Sequence, residues 1–199
     1  MTDFKYIFLY RHGETNLNVE GITMGQLSSL HTEFTQKGLN EIKGIKAKII
    51  MNNVEAIYSS DYERTLGTAQ IVNEYLNLPL VITSQLRGLN MGKYQGLPME
   101  TFLNSNEAKA SFADHNLKFL NGESINDLNG RIINYILSIC SKTKYNRIAL
   151  ITHSAVISNL ASHLLNVPYR CLNECTLCYS NSKLEVIKYD NNEKKLIKR

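Results

Sequence analysis

The spacing of apolar residues along the chain predicts strands and helices that follow one another in turn. Continuous apolar runs at residues 4–10 and 147–152 are typical of buried strands. Between such runs, apolar residues recur every three or four positions, which is the period of a helix with one buried face. This alternation predicts an α/β fold with a mostly parallel central sheet and helices on both of its faces.

The remaining elements follow from the same pattern. Further strands are predicted at residues 54–58, 80–82, 177–179 and 184–189. Helical steps are formed by Leu39, Ile42, Ile45 and Ile49, by Thr68, Ile71, Val72 and Tyr75, and by Leu128, Ile132, Ile136 and Ile139 or Cys140, with a last helix at 155–165. Helix starts are predicted at Thr35, at Asp61 and at Ser124, which forms a capping box with Asp127. Residues 85–122 are expected to be irregular with short helices.

Composition places the chain among ordinary globular proteins. Its 199 residues are 43% hydrophobic and 20% charged, which excludes a disordered chain, a collagen-like fibre and a coiled coil. The length predicts a single domain over residues 1–199. No apolar run approaches the roughly 20 residues of a membrane-spanning helix, and no signal segment is visible. We therefore expect a cytoplasmic protein with no membrane partner.

The chain is mildly basic, with a formal net charge of +4 from 22 basic and 18 acidic residues. A cluster of basic residues closes the sequence, formed by Lys194, Lys195, Lys198 and Arg199. We interpret this cluster as a solvated tail, with an anion-attracting patch as the alternative, because no aromatic residues alternate with it as in a nucleic-acid surface. A modest positive field suits an anionic small substrate.

The four cysteines leave two interpretations. Cys171, Cys175 and Cys178 form a C-x3-C-x2-C pattern, and Cys140 stands apart. Reduced, structural thiols are expected in a chain without an export signal. The alternative is an iron–sulfur or zinc site, with His163 as a fourth ligand. No other motif supports that alternative, so we expect no cofactor and no metal.

Residues that could bind or react with a ligand stand shortly after the carboxyl ends of three predicted strands. Arg11 and His12 come directly after the first strand, and Arg64 stands in the first turn of a helix after the second. His153 and Ser154 follow the strand at 147–152. Ligands of parallel sheets bind beyond the carboxyl ends of the strands. We therefore expect two histidines and two arginines to meet at one edge of the sheet.

Such a cluster of cationic side chains favours the binding of an anion. Several cations that point at one place repel each other unless an anion lies among them, and the planar guanidinium fork matches phosphate oxygens. The helix that begins at Ser154 adds backbone N–H donors and a positive dipole end. A neutral histidine, with an ordinary pKa of about 6.5, can act as a nucleophile.

Four sequence blocks in a fixed order resemble the histidine phosphatase superfamily, which is also called phosphoglycerate-mutase-like. The blocks are Leu-Tyr-Arg-His-Gly-Glu-Thr at 9–15 with Asn18, Ile-Tyr-Ser-Ser-Asp-Tyr-Glu-Arg-Thr at 57–65 with Thr68 and Ala69, Gly-Glu-Ser at 122–124, and Ala-Leu-Ile-Thr-His at 149–153. The resemblance spans roughly residues 4–190. It implies a phosphoglycerate-mutase-like fold, with a variable insertion at about residues 97–121.

The resemblance also implies roles for particular residues. His12 would attack phosphorus and carry a phosphohistidine, while Arg11, Arg64 and His153 would bind the phosphoryl oxygens. The expected phosphate-binding positions are Asn18, Gly13, Ser154 and Thr15. Glu14 would orient the loop. Turn or capping chemistry is the alternative for Gly13, Glu14 and Thr15.

Two positions depart from the family pattern. In the segment 86–96, Gly88 stands where the family has the glutamate that protonates the leaving oxygen. The general acid is therefore unknown, with Glu100, Glu107 and Asp114 as candidate substitutes. Loss of an acid without replacement costs about 10²–10⁴-fold in rate. Ser154 replaces a family glycine, which keeps the backbone N–H and adds a hydroxyl.

These residues predict a phosphomonoester hydrolase that acts on a small phosphorylated metabolite through a phosphohistidine. About 25 residues separate Gly96 from Gly122, and this leaves little chain to shield a phosphohistidine from water, as a mutase would need. Two alternatives stay open, a catalytically weak relative that binds phosphorylated ligands and a cofactor-dependent phosphoglycerate mutase. We expect no nucleic-acid partner, and a homodimer is open.

Overall fold

A computed structural model describes residues 3–29, 31–165 and 186–198 of the chain. A sheet of six strands forms the centre of this described part. The strands are β1 (Phe4–Arg11), β2 (Ala56–Ser60), β3 (Leu80–Thr83), β4 (Arg147–Thr152), β5 (Val186–Asp190) and β6 (Lys195–Lys198). Across the sheet they are ordered β3-β2-β4-β1-β5-β6. The first four are parallel, and β5 runs antiparallel to β1 and to β6. The predicted α/β class with a mostly parallel sheet is confirmed.

Helices connect the strands and cover the sheet. They are α1 (Asn16–Val19), α2 (Gln36–Met51), α3 (Glu63–Asn73), α4 (Met99–Asn104), α5 (Asn106–Ala113), α6 (Ile125–Lys142) and α7 (Ser154–Leu165), with 3-10 turns at Ser84–Leu86 and Gly92–Tyr94. Two predicted helix starts are confirmed. The Thr35 hydroxyl accepts the Gly38 N–H at 3.0 Å, and Ser124 and Asp127 form a reciprocal capping box. Irregular chain with short helices fills most of residues 85–122, as predicted.

Both faces of the sheet are packed. Side chains alternate along β1, so Ile7 and Leu9 enter one apolar cluster while Phe8 and Tyr10 enter the other. The first cluster holds four buried residues of α6, and the second holds Ile42 and Ile49 of α2 with Ala69 and Val72 of α3. Helices on both faces are therefore confirmed. None of the helices in the described ranges is both long and apolar enough to cross a membrane.

The start and end of α3 differ from the prediction. Tyr62, not Asp61, is the N-cap of this helix. The Asp61 carboxylate instead accepts three hydrogen bonds from Arg87, at 2.8 Å and 3.1 Å from the guanidinium Nε and at 2.5 Å from Nη2. The Asp61 side chain therefore bonds to this distant residue and not to the N-terminus of α3. The helix ends at Asn73, so Tyr75 lies outside it and is 84% exposed.

The basic end of the sequence also differs from the prediction. Lys195–Lys198 forms β6, an edge strand that pairs with β5, which the sequence did not predict, while Lys194 and Lys195 are solvent-exposed as expected. Charged side chains are common on edge strands, because they discourage pairing with another chain. His163 is exposed on α7 and does not pack into the core. Cys171, Cys175, Cys178 and the predicted strand at 177–179 lie outside the described residues.

The parallel strands β1, β4 and β2 end at one edge of the sheet. Arg11, the last residue of β1, pairs in register with Thr152, the last residue of β4. Ser59 of β2 pairs with Ile151 of β4. The residues that follow the three strands therefore start from neighbouring positions.

Candidate active site

The loop after β1 is fixed by backbone contacts on two sides. The His12 N–H donates to the Thr152 carbonyl at 3.1 Å, and the Gly13 N–H donates to the Thr68 hydroxyl at 3.1 Å. A Cβ on Gly13 would lie 2.8 Å from the Gly38 carbonyl oxygen, closer than real Cβ contacts. This close approach explains a glycine there, because the first turn of α2 presses against the loop that presents His12.

His12 and His153 form the centre of the site. Their ring centroids are 5.5 Å apart at an angle of 65°, and the two residues are only 4% and 5% exposed. Nδ1 of His12 lies 2.9 Å from the Gly13 carbonyl oxygen. Because a carbonyl oxygen only accepts, Nδ1 carries the proton and the lone pair lies on Nε2. Nε2 of His153 lies 3.0 Å from the Ser60 hydroxyl.

Two guanidinium groups complete the site. Arg64, in the first turn of α3, is 4% exposed, and its Nη2 donates to the Gly25 carbonyl at 2.9 Å. Burial lowers the pKa of His12 well below its usual 6.5, and the charges of Arg11 and Arg64 lower it further. Burial and the Arg64 charge do the same to the pKa of His153. Both imidazoles are therefore neutral at pH 7, beside two permanent cations.

One pocket contains all four side chains. It encloses about 490 Å³ of space, a volume that includes its open mouth. The polar side chains among its lining residues are Arg11, His12, Asn18, Arg64, His153 and Ser154. Ser154 is the first residue of α7, so the positive end of that helix dipole adds to the field. The arrangement is suited to holding a phosphoryl group beside a nucleophilic nitrogen.

The predicted phosphate-binding residues fall into two groups. Asn18 and Ser154 line the pocket. The oxygen of the Asn18 carboxamide accepts from the Thr15 N–H and hydroxyl, both at 3.1 Å, which leaves its NH₂ group to donate to an anion. Gly13 and Thr15 are not part of the pocket wall. Gly13 meets α2, and Thr15 caps α1.

Gly88 lies on the pocket wall against His153. The three carboxylates that were expected to replace its missing side chain lie elsewhere. Glu100 is exposed on α4. Glu107 is held by Lys93 at 2.6 Å and by the Tyr94 hydroxyl at 3.0 Å. Asp114 ends α5, where its side chain accepts the Asn116 N–H. In the described part of the chain, none of the three lines the pocket.

Sequence reasoning missed the groups that hold the Gly88 backbone and the His153 ring. The Gly88 carbonyl accepts from Gln26 Nε2 at 2.8 Å and from Arg131 Nη2 at 3.2 Å. The same Nη2 donates to Glu123 Oε1 at 2.8 Å, so the side chains of Gln26, Arg131 and Glu123 form a half-buried hydrogen-bond network around the Gly88 carbonyl. The position of Ser60 could have revealed its role, because Ser60 ends the buried strand β2 beside β4, and His153 directly follows β4.

No group of three or more His, Cys, Asp and Glu side chains suited to a metal ion occurs in residues 3–29, 31–165 and 186–198. The one cysteine described as free, Cys140, is buried, and its burial raises the pKa of the thiol to about 12. That thiol is therefore a core side chain and not a nucleophile.

Comparison with known proteins shows which protein family this chain matches. The chain matches the family model of the Histidine phosphatase superfamily (branch 1) over residues 7–199. The curated relative "Probable phosphoglycerate mutase GpmB" of Proteus mirabilis (strain HI4320) is 27% identical over 188 residues, which are 93% of this chain and 85% of that protein.

Two solved structures share the fold. The α-ribazole phosphatase of Shigella flexneri is 21% identical with a TM-score of 0.74, and the match covers 98% of this chain and 94% of that one. The mycobacterial glucosyl-3-phosphoglycerate phosphatase, solved in complex with VO3, is 22% identical with a TM-score of 0.72, and the match covers 92% of each chain.

Proposed function

Because the chain belongs to the histidine phosphatase superfamily, branch 1, we propose that it hydrolyses phosphomonoesters of small metabolites through a phosphohistidine on His12. The observation that carries this proposal is the neutral His12 imidazole. Its Nδ1–H is bound to the Gly13 carbonyl at 2.9 Å, and its Nε2 lone pair belongs to a ring that lines the cationic pocket.

The proposed reaction has two displacements at phosphorus. In the first, Nε2 of His12 attacks phosphorus and the ester oxygen leaves with the bonding electrons. Arg11, Arg64 and His153 stabilise the phosphoryl oxygens, together with the Asn18 amide. In the second, water attacks the phosphohistidine and releases inorganic phosphate. The charges that the reaction needs come from side chains, so we expect a chelator to leave turnover unchanged.

The neutral state of the imidazoles supports this assignment. A protonated His12 has no lone pair for the attack, and the burial that lowers its pKa keeps the lone pair available at neutral pH. The two guanidinium charges lower the same pKa and also attract the phosphate dianion. The same two guanidinium charges therefore keep the nucleophile neutral and attract the substrate phosphate.

A phosphoglycerate mutase is the second candidate, because the curated relative described above carries that name. A mutase returns the phosphoryl group to a second substrate hydroxyl and must exclude water. An assay of phosphate transfer between the two positions of phosphoglycerate, run beside an assay of phosphate release, separates the two activities. We expect release to dominate.

The decisive experiment traps the intermediate. Phenyl phosphate that carries radioactive phosphorus is mixed with the enzyme and quenched in alkali, in which phosphohistidine survives. We expect label on a peptide that contains His12 and none in the H12N variant. His163→Asn is the matched control, because this histidine is exposed on α7, and it should be labelled like the wild type.

Two results would reject the proposal. Label that persists in H12N would show another nucleophile. Tight phosphate binding without label or phosphate release from any ester would indicate a protein that binds phosphorylated ligands without hydrolysing them.

A further inference from the structure

The pocket also has apolar side chains whose chemistry the phosphoryl group does not use. The apolar wall that they form consists of Ile22, Met24, Leu89, Met91, Met99 and Ala155. Three of the six are methionines, whose flexible thioethers make favourable contacts with aromatic rings. We expect the group attached to the phosphate to lie against this wall when the phosphate lies between the arginines and histidines.

The apolar wall is held in place by the backbone. The Thr23 N–H donates to the Leu97 carbonyl at 2.8 Å, and the Gly96 N–H donates to the Thr23 carbonyl at 2.8 Å. The Met99 N–H donates to the Gly21 carbonyl at 2.7 Å. Met24 is only 8% exposed. The segments that carry Met24 and Met99 are thus joined by a short ladder, and the wall is formed before a ligand arrives.

The carboxylates near the pocket are committed to arginines. Asp61 is bound by Arg87, whose hydrogen bonds hold the pKa of Asp61 below its usual value. Glu123 accepts from Arg131 and from the Asn90 N–H, both at 2.8 Å. In the described chain the wall itself carries no carboxyl group. An ionised Asp61 only accepts hydrogen bonds, and Glu123 does not line the pocket, so neither group is placed to give a proton to a leaving oxygen.

Because no carboxyl group of the described residues lines the pocket, we expect the leaving oxygen to depart with its electron pair and negative charge. The P–O bond breaks as the N–P bond to His12 forms, and the departing anion takes its proton from water afterwards. A phenol such as that of tyrosine has a pKa of about 10, whereas an alkyl alcohol is a far weaker acid, nearly as weak as water. An aryl oxygen therefore leaves far more easily than an alkyl oxygen.

We propose that this site is specific for apolar aryl phosphates, whose ring packs against the methionine wall and whose phenolic oxygen leaves without a proton. This proposal rests on the phosphohistidine chemistry proposed above. The wall and the missing acid point to the same class independently: the wall favours an apolar ring, and Gly88 requires a stable leaving anion.

Two matched pairs of esters test the proposal on the wild-type enzyme. Phenyl and cyclohexyl phosphate have rings of the same size and differ in the acidity of the leaving oxygen. We expect kcat/KM for the cyclohexyl ester to be lower by about 100-fold or more, the usual value of general acid catalysis. The second pair is 4-ethylphenyl phosphate and phosphotyrosine, both para-alkyl phenols, of which only phosphotyrosine carries charges into the apolar wall. We expect a loss of about 10-fold or more for phosphotyrosine, because buried unpaired charges are costly.

The outcomes separate this proposal from the proposed function. Cyclohexyl phosphate hydrolysed within about 3-fold of phenyl phosphate would show that a proton donor exists, which would overturn the inference while leaving the phosphatase intact. Equal rates for the second pair would overturn the role of the apolar wall. Failure of the labelling experiment on His12 would instead reject the phosphohistidine itself.

Discussion

Gly88 packs directly against the imidazole of His153: a Cβ atom on this glycine would lie 3.2 Å from both Cβ and Cγ of the histidine. Such contacts are tighter than nearly all real Cβ contacts, so the ring would have to yield by a few tenths of an ångström. The Gly88 carbonyl is fixed by Gln26 and Arg131, so the backbone is the less movable partner. A side chain at position 88 therefore enters the pocket beside His153.

Replacement of Gly88 by glutamate should supply the missing proton donor. We expect Gly88→Glu to raise the ratio of kcat/KM for cyclohexyl phosphate to that for phenyl phosphate by about 10-fold or more. The ratio is the proper measurement, because any general loss from the displaced His153 ring affects both esters and cancels.

The matched control is Gly88→Gln, which has nearly the same volume and no acidic proton. The ratio should stay at the wild-type value in this variant. A rise of equal size in both variants would show that bulk, not acidity, is responsible. An unchanged ratio in Gly88→Glu would show that another group already protonates the leaving oxygen.

Ser60 should act as a positioning residue for His153. Its hydroxyl lies 3.0 Å from Nε2 of the ring and is fully buried. Ser60→Ala leaves Nε2 of His153 without its buried hydrogen-bond partner, and the ring is no longer held in one orientation. We expect kcat/KM to fall about 10-fold, since an unpaired buried polar group costs roughly 1–3 kcal/mol. The pKa of His153, followed by NMR titration, should change with it.

Ser59 provides the control for that variant. It is equally buried, but its hydroxyl donates to the Ser60 backbone carbonyl at 2.9 Å and not to a site residue. Ser59→Ala should therefore stay within about 3-fold of wild type and leave the His153 pKa unchanged. Equal losses in both variants would mean that the Ser60 effect is structural.

The sequence was sufficient to predict the elements that depend on local pattern. The apolar run of β4 and the capping box of Ser124 and Asp127 contain their own signals. The strand-end argument also placed Arg11 and His153 in one pocket. These features are predictable because each depends on neighbours in sequence or on a general property of parallel sheets.

Features that depend on distant partners could not be predicted. Asp61 appeared to be a helix cap because its partner, Arg87, is 26 positions away. The apolar wall combines Met24 with Met99 through backbone bonds between two irregular segments, which leave no periodic pattern. The strand β6 was missed because its charged residues resemble a solvated tail unless the pairing with β5 is known.

The buried imidazoles should make the folded protein less stable below about pH 6.5. His12 and His153 have a folded pKa below that of the unfolded chain. Between the two values the unfolded chain binds protons that the folded protein does not, so the free energy of unfolding falls as the pH falls. The slope is up to about 1.4 kcal/mol per pH unit for each imidazole.

Urea unfolding between about pH 7.5 and about pH 5.5 measures this slope, because carboxylates with a lowered pKa change the free energy of unfolding only below about pH 4.5. Removal of both imidazoles, as H12Q with H153Q, should flatten the dependence, whereas His163→Gln should not. A slope that persists in the double variant would assign the effect to other groups.

Two glycines of α2 should respond in opposite directions to the same substitution. A Cβ on Gly38 would overlap the Glu14 carbonyl oxygen, in the loop that carries His12, whereas a Cβ on Gly44 would meet nothing within 4 Å. We expect Gly38→Ala to lower the free energy of unfolding by about 1–3 kcal/mol and to reduce kcat by displacing the loop. Gly44→Ala should raise stability by about 0.5–1 kcal/mol and leave kcat unchanged, because alanine is the better helix former. Thermal unfolding of the pair, with turnover of phenyl phosphate, measures both effects. A Gly38→Ala protein with wild-type stability and turnover would show that the first turn of α2 does not hold the His12 loop in place.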